Sequence, residues 1–150
     1  MRVADHADIT AELHDCIFML RLAVHSLSGG FPSGAAGDAF RAAERAARTF
    51  VLVRGGRVVK THSGVQSEFW RLTEAEPRLR RSHGVPATGL ALRFKHDYGS
   101  PQEVSHAEAV RTLCGAAALV RAVAQVLNVD VDQAPEAAAL WIGISELSIT

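Results

Sequence analysis

Residues 105–127, SHAEAVRTLCGAAALVRAVAQVL, combine a helix start signal with a long helical period. Ser105 and Glu108 have the spacing of a capping box, in which each side chain bonds the backbone N–H of the other residue. Behind them, apolar residues recur at steps of three and four, the spacing of one helical face. That face consists of Ala109, Val110, Leu113, Cys114, Ala117, Val120, Ala124 and Leu127. The stretch therefore predicts a long core helix.

The first third of the chain predicts two more long helices. One begins after Thr10, its expected N-cap, and the sequence SGGFP at 28–32 ends it. Its apolar stripe is Leu13, Ile17, Leu20, Val24 and Leu27. Ser33 is the expected cap of the second helix, which ends at Gly55 and Gly56. Its buried face is Ala36, Phe40, Ala43, Ala47, Phe50 and Val51. We expect the two helices to pack as an antiparallel hairpin, because their connection is short.

Shorter segments complete the predicted fold. Either Thr61 alone or Ser63 with Gln66 caps a short third helix. Its inward residues are Val65, Phe69 and Leu72. A fourth helix is expected near Ala87 to Tyr98, and the apolar tail from Ala137 to Ile149 either caps the core or pairs with a second subunit. We therefore expect an all-α fold, an up-and-down bundle of about five helices with a C-terminal helical extension.

The composition fits one domain over residues 1–150, with its core at about 11–127 and the extension at 129–150. The 150 residues are 48% hydrophobic, which is enough for a single core. Sixteen Lys and Arg balance sixteen Asp and Glu, so net charge does not attract nucleic acid, and such a partner needs a local basic patch. No segment shows sustained strand alternation, although residues 57–60 are too short to assign.

The sequence lacks the usual signatures of several functional classes. Cys16 and Cys114 lie far apart without Cys or His neighbours at ligand spacing, so we expect no disulfide, no metal and no cofactor. The sequence has no phosphate-binding glycine loop, no dinucleotide fingerprint and no metalloprotease or hydrolase motif. The first residues show no charged stretch followed by an apolar one, and no apolar run approaches about 20 residues, so we expect neither a leader nor a membrane span. We expect a cytoplasmic protein that does not enter a membrane.

Cationic residues cluster at two places. Arg41 and Arg45 lie with Glu44 and Arg48 on the outer side of the second helix, either as candidate phosphate or nucleotide ligands or as a solvated, salt-bridged face. Lys60 and His62 precede or begin the third helix, where free backbone N–H groups favour anions, and they are candidate phosphate ligands as well. The alternative for His62 is that it caps the helix together with Ser63.

The order of these motifs resembles the bacterial HEPN-domain group. The resemblance covers about residues 11–127. It depends on GFPSGAAGDAFRAA at 30–43, KTHSGV at 60–65 followed by Phe69, and LRFKHDYG at 92–99. Members of that group have a Lys-Thr-His-Ser-Gly turn and an Arg…Asp-Tyr segment. The resemblance implies a helical bundle that is commonly dimeric and is either encoded beside a minimal nucleotidyltransferase or used as a metal-independent endoribonuclease.

The resemblance also implies catalytic residues. In active HEPN nucleases an Arg is followed by a His four to six residues later, and here Arg93 and His96 have only two residues between them. On a helix these positions share a face, so Arg93 would hold a phosphate while His96 transfers a proton. The alternative is a plain surface pair of Arg93 with Asp97. Tyr98 resembles the tyrosine that some partner nucleotidyltransferases adenylylate, and its alternative role is a half-buried ring.

Three hypotheses follow, two of them functional. The first is a HEPN-type toxin or defence protein, a homodimer that cleaves RNA with Arg93 and His96 and that Tyr98 regulates. The second is a non-catalytic HEPN module that binds a nucleotidyltransferase partner or a nucleotide. A third, purely structural dimer would use the apolar tail as its interface.

Overall fold

The computed structural model describes residues 5–82, 84–86 and 104–149, and these residues form helices and their connections. Five α-helices lie entirely within the described residues: α1 His6–Ser28, α2 Pro32–Gly55, α3 His62–Thr73, α4 His106–Val126 and α5 Ala137–Ile149. Short 3-10 turns cover Pro77–Ser82 and Val131–Gln133. The described residues contain no strand, which includes the segment 57–60. The all-α bundle with a helical extension is confirmed, while the helix expected at 87–98 lies outside the described residues.

The first two helices begin earlier than the sequence predicts. The Asp5 carboxylate accepts a bond of 2.8 Å from the Asp8 backbone N–H, so α1 starts at His6. Thr10 lies inside the helix, where its hydroxyl donates to the His6 carbonyl, and the prediction that it is the N-cap was wrong. α2 starts at Pro32, whose fixed φ suits a first helical turn, and Ser33 is not its cap.

The other helix ends follow the predicted signals. Thr61 alone caps α3, since its hydroxyl accepts from the Gly64 N–H at 3.0 Å, and the alternative with Ser63 and Gln66 was wrong. A Cβ on Gly64 would lie 2.6 Å from Val59 and 2.7 Å from the Thr61 hydroxyl, so this turn requires glycine. α4 has the full capping box of Ser105 and Glu108. Gly56 ends α2 in the left-handed conformation, with φ at 69°.

Three helices enclose the core. α1 and α2 pack against each other, and α4 packs on both. The predicted stripes of α1 and α2 are buried. Small side chains on α2 let the helices approach closely. These are Ala35, Ala36, Ala39, Ala42, Ala43, Ala46 and Ala47. Phe50 meets Phe69 edge to face at 5.7 Å, which fixes α3 to α2.

The C-terminal extension packs on its own chain. Leu140 is fully buried, and a Cβ on Gly143 would lie 3.1 Å from a Val24 methyl group on α1. The Trp141 indole donates to the Asp132 carboxylate at 2.7 Å, and the Arg121 guanidinium lies 3.9 Å from the centre of the indole ring. The extension therefore covers the core, the first of the two roles expected for it. A role in subunit pairing stays a prediction.

One described helix, α4, is long and apolar enough to cross a membrane. Its most apolar window is 56% buried in the bundle, and core helices of soluble proteins pass the same test of length and composition. α4 contacts both α1 and α2 along the core. Packing within the bundle therefore accounts for its apolar character.

Candidate functional site

The outer side of α2 faces the start of α1 and the segment before α3. We call Arg41, Glu44, Arg45 and Arg48 the charged face of α2. Beside it lies a cleft of about 530 Å³, which the charged face shares with residues of α1 and with Val58 and Val59. The cleft brings together residues that are far apart in the sequence.

Glu44 is the centre of a hydrogen-bonded network. Its side chain is only 12% exposed, and one carboxylate oxygen accepts from Arg48 at 3.1 Å and from Nδ1 of His62. Arg48 also donates to the Val59 carbonyl at 2.8 Å, which ties the segment before α3 to α2. The Phe40 ring meets the His62 ring edge to face at 5.7 Å. His62 thus contacts two residues of α2, Glu44 and Phe40.

Carboxylates contact three of the four predicted phosphate ligands. Arg45 binds Glu12 at 2.9 Å and Asp15 at 3.4 Å, both on α1. Arg41 binds Asp38 at 3.3 Å, and His62 binds Glu44. Lys60 is exposed two residues before His62. The charged face is therefore the salt-bridged surface that the sequence left open as an alternative, and phosphate binding by these residues stays a prediction.

Part of the cleft lining is apolar, and we call this part the apolar wall. Its side chains include Ile9, Met19, Leu52, Val53, Val58 and Val59. Val58 is 63% exposed and Val53 is 38% exposed, so this wall is open to a ligand or partner. Sequence analysis missed this wall because residues 57–60 have no period of their own. The only signal in the sequence was the unassigned apolar pair Val58 and Val59.

The predicted catalytic residues Arg93, His96 and Tyr98 lie outside the described residues. Their roles therefore stay predictions from the resemblance. The structure brings His62 together with Glu44, and it brings Arg45 together with α1. Sequence reasoning missed the pairing of His62 with Glu44, because 18 residues separate them.

Two other ionisable groups, the Cys16 thiol and the Glu68 carboxyl, have pKa values that differ from their usual ones. Burial raises the pKa of the Cys16 thiol to about 12, against an opposing effect of the nearby Arg45 guanidinium. The hydrogen bond from Arg71 holds the pKa of the Glu68 carboxyl below its usual value, and Arg57 adds to this effect. No group of three or more His, Cys, Asp or Glu side chains within 5–82, 84–86 and 104–149 has the arrangement of a metal site.

The chain matches no family model, and no curated protein is significantly similar to it in sequence. Membership of the HEPN group therefore stays a prediction from the motifs at 30–43, 60–65 and 92–99.

Proposed function

We propose that the chain is a HEPN-type protein of a toxin–antitoxin or defence system, acting in the cytoplasm as a homodimer that cleaves RNA without a metal ion. The helical bundle is the architecture that this assignment requires, although a fold alone does not define a function. The observation that best supports the proposal is the KTHSG turn at 60–64. Thr61 caps α3, Gly64 permits the close turn, and His62 contacts α2 beside an open cleft.

In this proposal Arg93 binds the scissile phosphate and His96 transfers a proton during cleavage. A guanidinium suits the phosphate because it offers several N–H donors in a fixed plane. Tyr98 is the position at which a partner nucleotidyltransferase would control the activity by adenylylation. The resemblance implies that two copies of the chain come together over the RNA.

Growth of a bacterial host after induction tests this proposal. Expression of the wild-type chain is expected to arrest growth, and expression of His96→Ala is expected to permit it. His25→Ala is the matched control, since His25 is an exposed residue near the end of α1 and should arrest growth like wild type. Soluble expression of all three proteins must be equal. Growth arrest that persists in His96→Ala would contradict the assignment of His96.

The cleft favours a second candidate function, a non-catalytic module that binds a nucleotidyltransferase. Its charged face pairs cations with carboxylates, and its apolar wall exposes Val53 and Val58. Mixed charge beside apolar side chains is typical of protein interfaces. Titration with a purified minimal nucleotidyltransferase should show binding that Val58→Asp abolishes. The control is Ile142→Asp on α5, because Ile142 is 62% exposed, like Val58, and lies outside the cleft. Equal binding by wild type and Val58→Asp would exclude the cleft as the interface.

A further inference from the structure

The net charge of the chain is zero, but one segment is basic. Residues 57–82 contain six Lys and Arg against three Glu, a net charge of +3, and the rest of the chain carries the opposite charge. This segment includes α3 and the 3-10 turn that follows it. A basic segment in a neutral chain is the local patch that an anionic partner needs.

The 3-10 turn after α3 directs its cations outward. Leu79 is fully buried and fixes the turn to the bundle. The arginines on either side of it, Arg78, Arg80 and Arg81, are exposed. Arg80 donates to the carbonyl of Glu74, the C-cap of α3, at 3.1 Å. The turn is therefore held at the C-terminal end of α3 with its arginines towards solvent.

Carboxylates do not neutralise all of these arginines. Arg78 binds Glu76 at 3.1 Å, but among the described residues neither Arg80 nor Arg81 has a carboxylate partner. The charged face of α2 differs in this respect, because each of its arginines binds a carboxylate. A phosphate could therefore bind at the end of α3 without first breaking an ion pair of Arg80 or Arg81.

An exposed indole ring lies beside these cations. Trp70, near the end of α3, is 48% exposed. Glu74, which binds Arg80 through its carbonyl, follows Trp70 by one helical turn and lies on the same side of α3. A Cβ on Gly84 would lie 3.9 Å from the six-membered ring of Trp70, so the chain that leaves the 3-10 turn returns to the indole. The end of α3 therefore presents an aromatic surface together with unbalanced positive charge.

We infer that the end of α3 binds single-stranded RNA through Trp70, Arg80 and Arg81. The indole stacks on a base, and the two guanidinium groups contact backbone phosphates. Proteins that hold single strands combine these two elements, because every base has a flat face and every nucleotide a phosphate. This inference rests on the proposed function and deepens it, since it assigns a surface that holds the RNA substrate. All three residues lie in the part of the chain that the structure describes.

Binding of an RNA that cannot be cleaved tests the inference. Metal-independent cleavage uses attack of the ribose 2′-hydroxyl on phosphorus, which leaves a 2′,3′-cyclic phosphate, so a 2′-O-methyl RNA stays intact. The probe is a fluorescent 2′-O-methyl oligouridylate of about 12 nucleotides, whose anisotropy gives the Kd. Trp70→Ala should raise the Kd about 5- to 100-fold, the effect of one stacked base. Phe31→Ala, at a ring that is 68% exposed, is the control and should bind like wild type.

The salt dependence of the same Kd tests the two arginines. Each lost phosphate contact should lower the slope of log Kd against log salt concentration by about 0.7, so Arg81→Gln should show one such step. Arg80→Gln combined with Arg81→Gln should show about two. Arg121→Gln removes the same charge from α4, at a side chain that is 54% exposed, and should leave the slope unchanged. Equal slopes in wild type and Arg81→Gln would contradict the phosphate contact.

Trp70 also reports its own contact with RNA. The chain has two tryptophans, so Trp141→Phe leaves Trp70 as the single source of indole fluorescence. Saturation with the 2′-O-methyl oligouridylate should quench this fluorescence, whereas the emission of Trp141 in Trp70→Phe should not change. Unquenched fluorescence of Trp70 in a saturated complex would contradict stacking. Circular dichroism of each variant, compared with wild type, confirms that the fold is intact.

The outcomes separate this inference from the proposed function. If wild type, Trp70→Ala and Arg81→Gln have the same Kd, the inference is wrong and the proposed cleavage is unaffected. If binding behaves as expected but unmodified RNA stays intact with a chelator present, the proposed function falls and the RNA-binding surface stands. If wild type binds no RNA at about 50 mM salt, the inference is wrong, and the end of α3 becomes a candidate surface for an acidic protein. Tighter binding of a DNA strand of the same length would contradict the assignment to RNA.

Discussion

The two sides of α2 use different chemistry. One side is a row of buried alanines and Phe50, which packs against α1, α3 and α4. The other side is the charged face, whose cations bind carboxylates of α1 and α2 and whose Glu44 holds His62. Both sides belong to the same helix, and they differ only in the residues that lie on each side of it.

The comparison indicates which side of α2 stabilises the fold and which side is a candidate for function. Burial of apolar side chains stabilises a fold strongly, because the transfer of apolar surface out of water is favourable. Truncation of a buried side chain also leaves a cavity, which adds to the loss of stability. Exposed ion pairs contribute little, typically about 0 to 1 kcal/mol each. We therefore expect changes on the buried side to unfold the bundle, and changes on the charged face to affect binding and chemistry at a small cost in stability.

Removal of the Phe50 ring should have the largest effect. Phe50 is 2% exposed and contacts Phe69, so Phe50→Ala leaves a cavity between α2 and α3. We expect the free energy of unfolding to fall by about 3 to 5 kcal/mol in urea denaturation. Phe18→Ala, at a ring that is 57% exposed, is the matched control and should cost less than about 1 kcal/mol. Equal losses in the two variants would contradict the assignment of the core.

Overpacking of the alanine row should have the next largest effect. Ala46 is fully buried on α2, and Ala46→Leu would force the neighbouring helices apart. The expected loss is about 1 to 3 kcal/mol of unfolding free energy. Thermal unfolding measures this loss. The control is Ala118→Leu on the exposed side of α4, which should leave the unfolding free energy nearly unchanged. A neutral Ala46→Leu would mean that α2 does not approach its neighbours closely.

Loss of the Glu44 carboxylate should cost less. Glu44→Ala removes the acceptor of both Arg48 and His62, but these side chains are 37% and 46% exposed and can bond to water instead. We expect destabilisation of about 1 kcal/mol, measured by urea denaturation. Glu12→Ala, at a carboxylate that is 46% exposed, should cost about half as much or less. A loss as large as that of Phe50→Ala would contradict the comparison.

The effect that is smallest near neutral pH concerns Cys16, which is buried in the core and interacts electrostatically with Arg45. Burial raises the pKa of the folded thiol to about 12 from the usual value of 9.0. Below about pH 9 the thiol is neutral in both states, and above it the unfolded chain releases the proton while the folded chain keeps it. Stability should therefore fall as the pH rises from about 9 towards about 12.

Urea denaturation over this pH range measures the Cys16 effect. At one pH unit above 9.0, wild type should have lost roughly 1 kcal/mol more than Cys16→Ala, relative to each protein near neutral pH. The comparison of the two proteins removes the effect of other groups that titrate there. Parallel curves for wild type and Cys16→Ala would show that the thiol is not shielded from water.

Local patterns in the sequence predicted most of the described fold. The stripes of α1, α2 and α4, the capping box at Ser105 and the end of α2 at Gly56 depend on residues close in the chain. The start of α1 was placed too late because Asp5 precedes the apolar stripe by two helical turns. Ser33 was predicted as the cap of α2 because Pro32 was interpreted as part of the sequence SGGFP that ends α1.

The candidate site was less predictable because it depends on distant pairs. Arg45 meets Asp15 across 30 positions, and His62 meets Glu44 across 18 positions, so no local period indicates either contact. The charged face was recognised as a cluster in the sequence. The packing of α1 and α3 on α2 determines which carboxylates neutralise the charged face. It also determines the orientation of His62.

The most direct test of the account is the cleavage of a defined RNA by the purified chain in the presence of a chelator. The account predicts products with 2′,3′-cyclic phosphate and 5′-hydroxyl ends from the wild-type protein, and no products from His96→Ala under the same conditions. Intact RNA after incubation with folded wild-type protein would contradict the central claim. The chain would then be assigned to the partner-binding module.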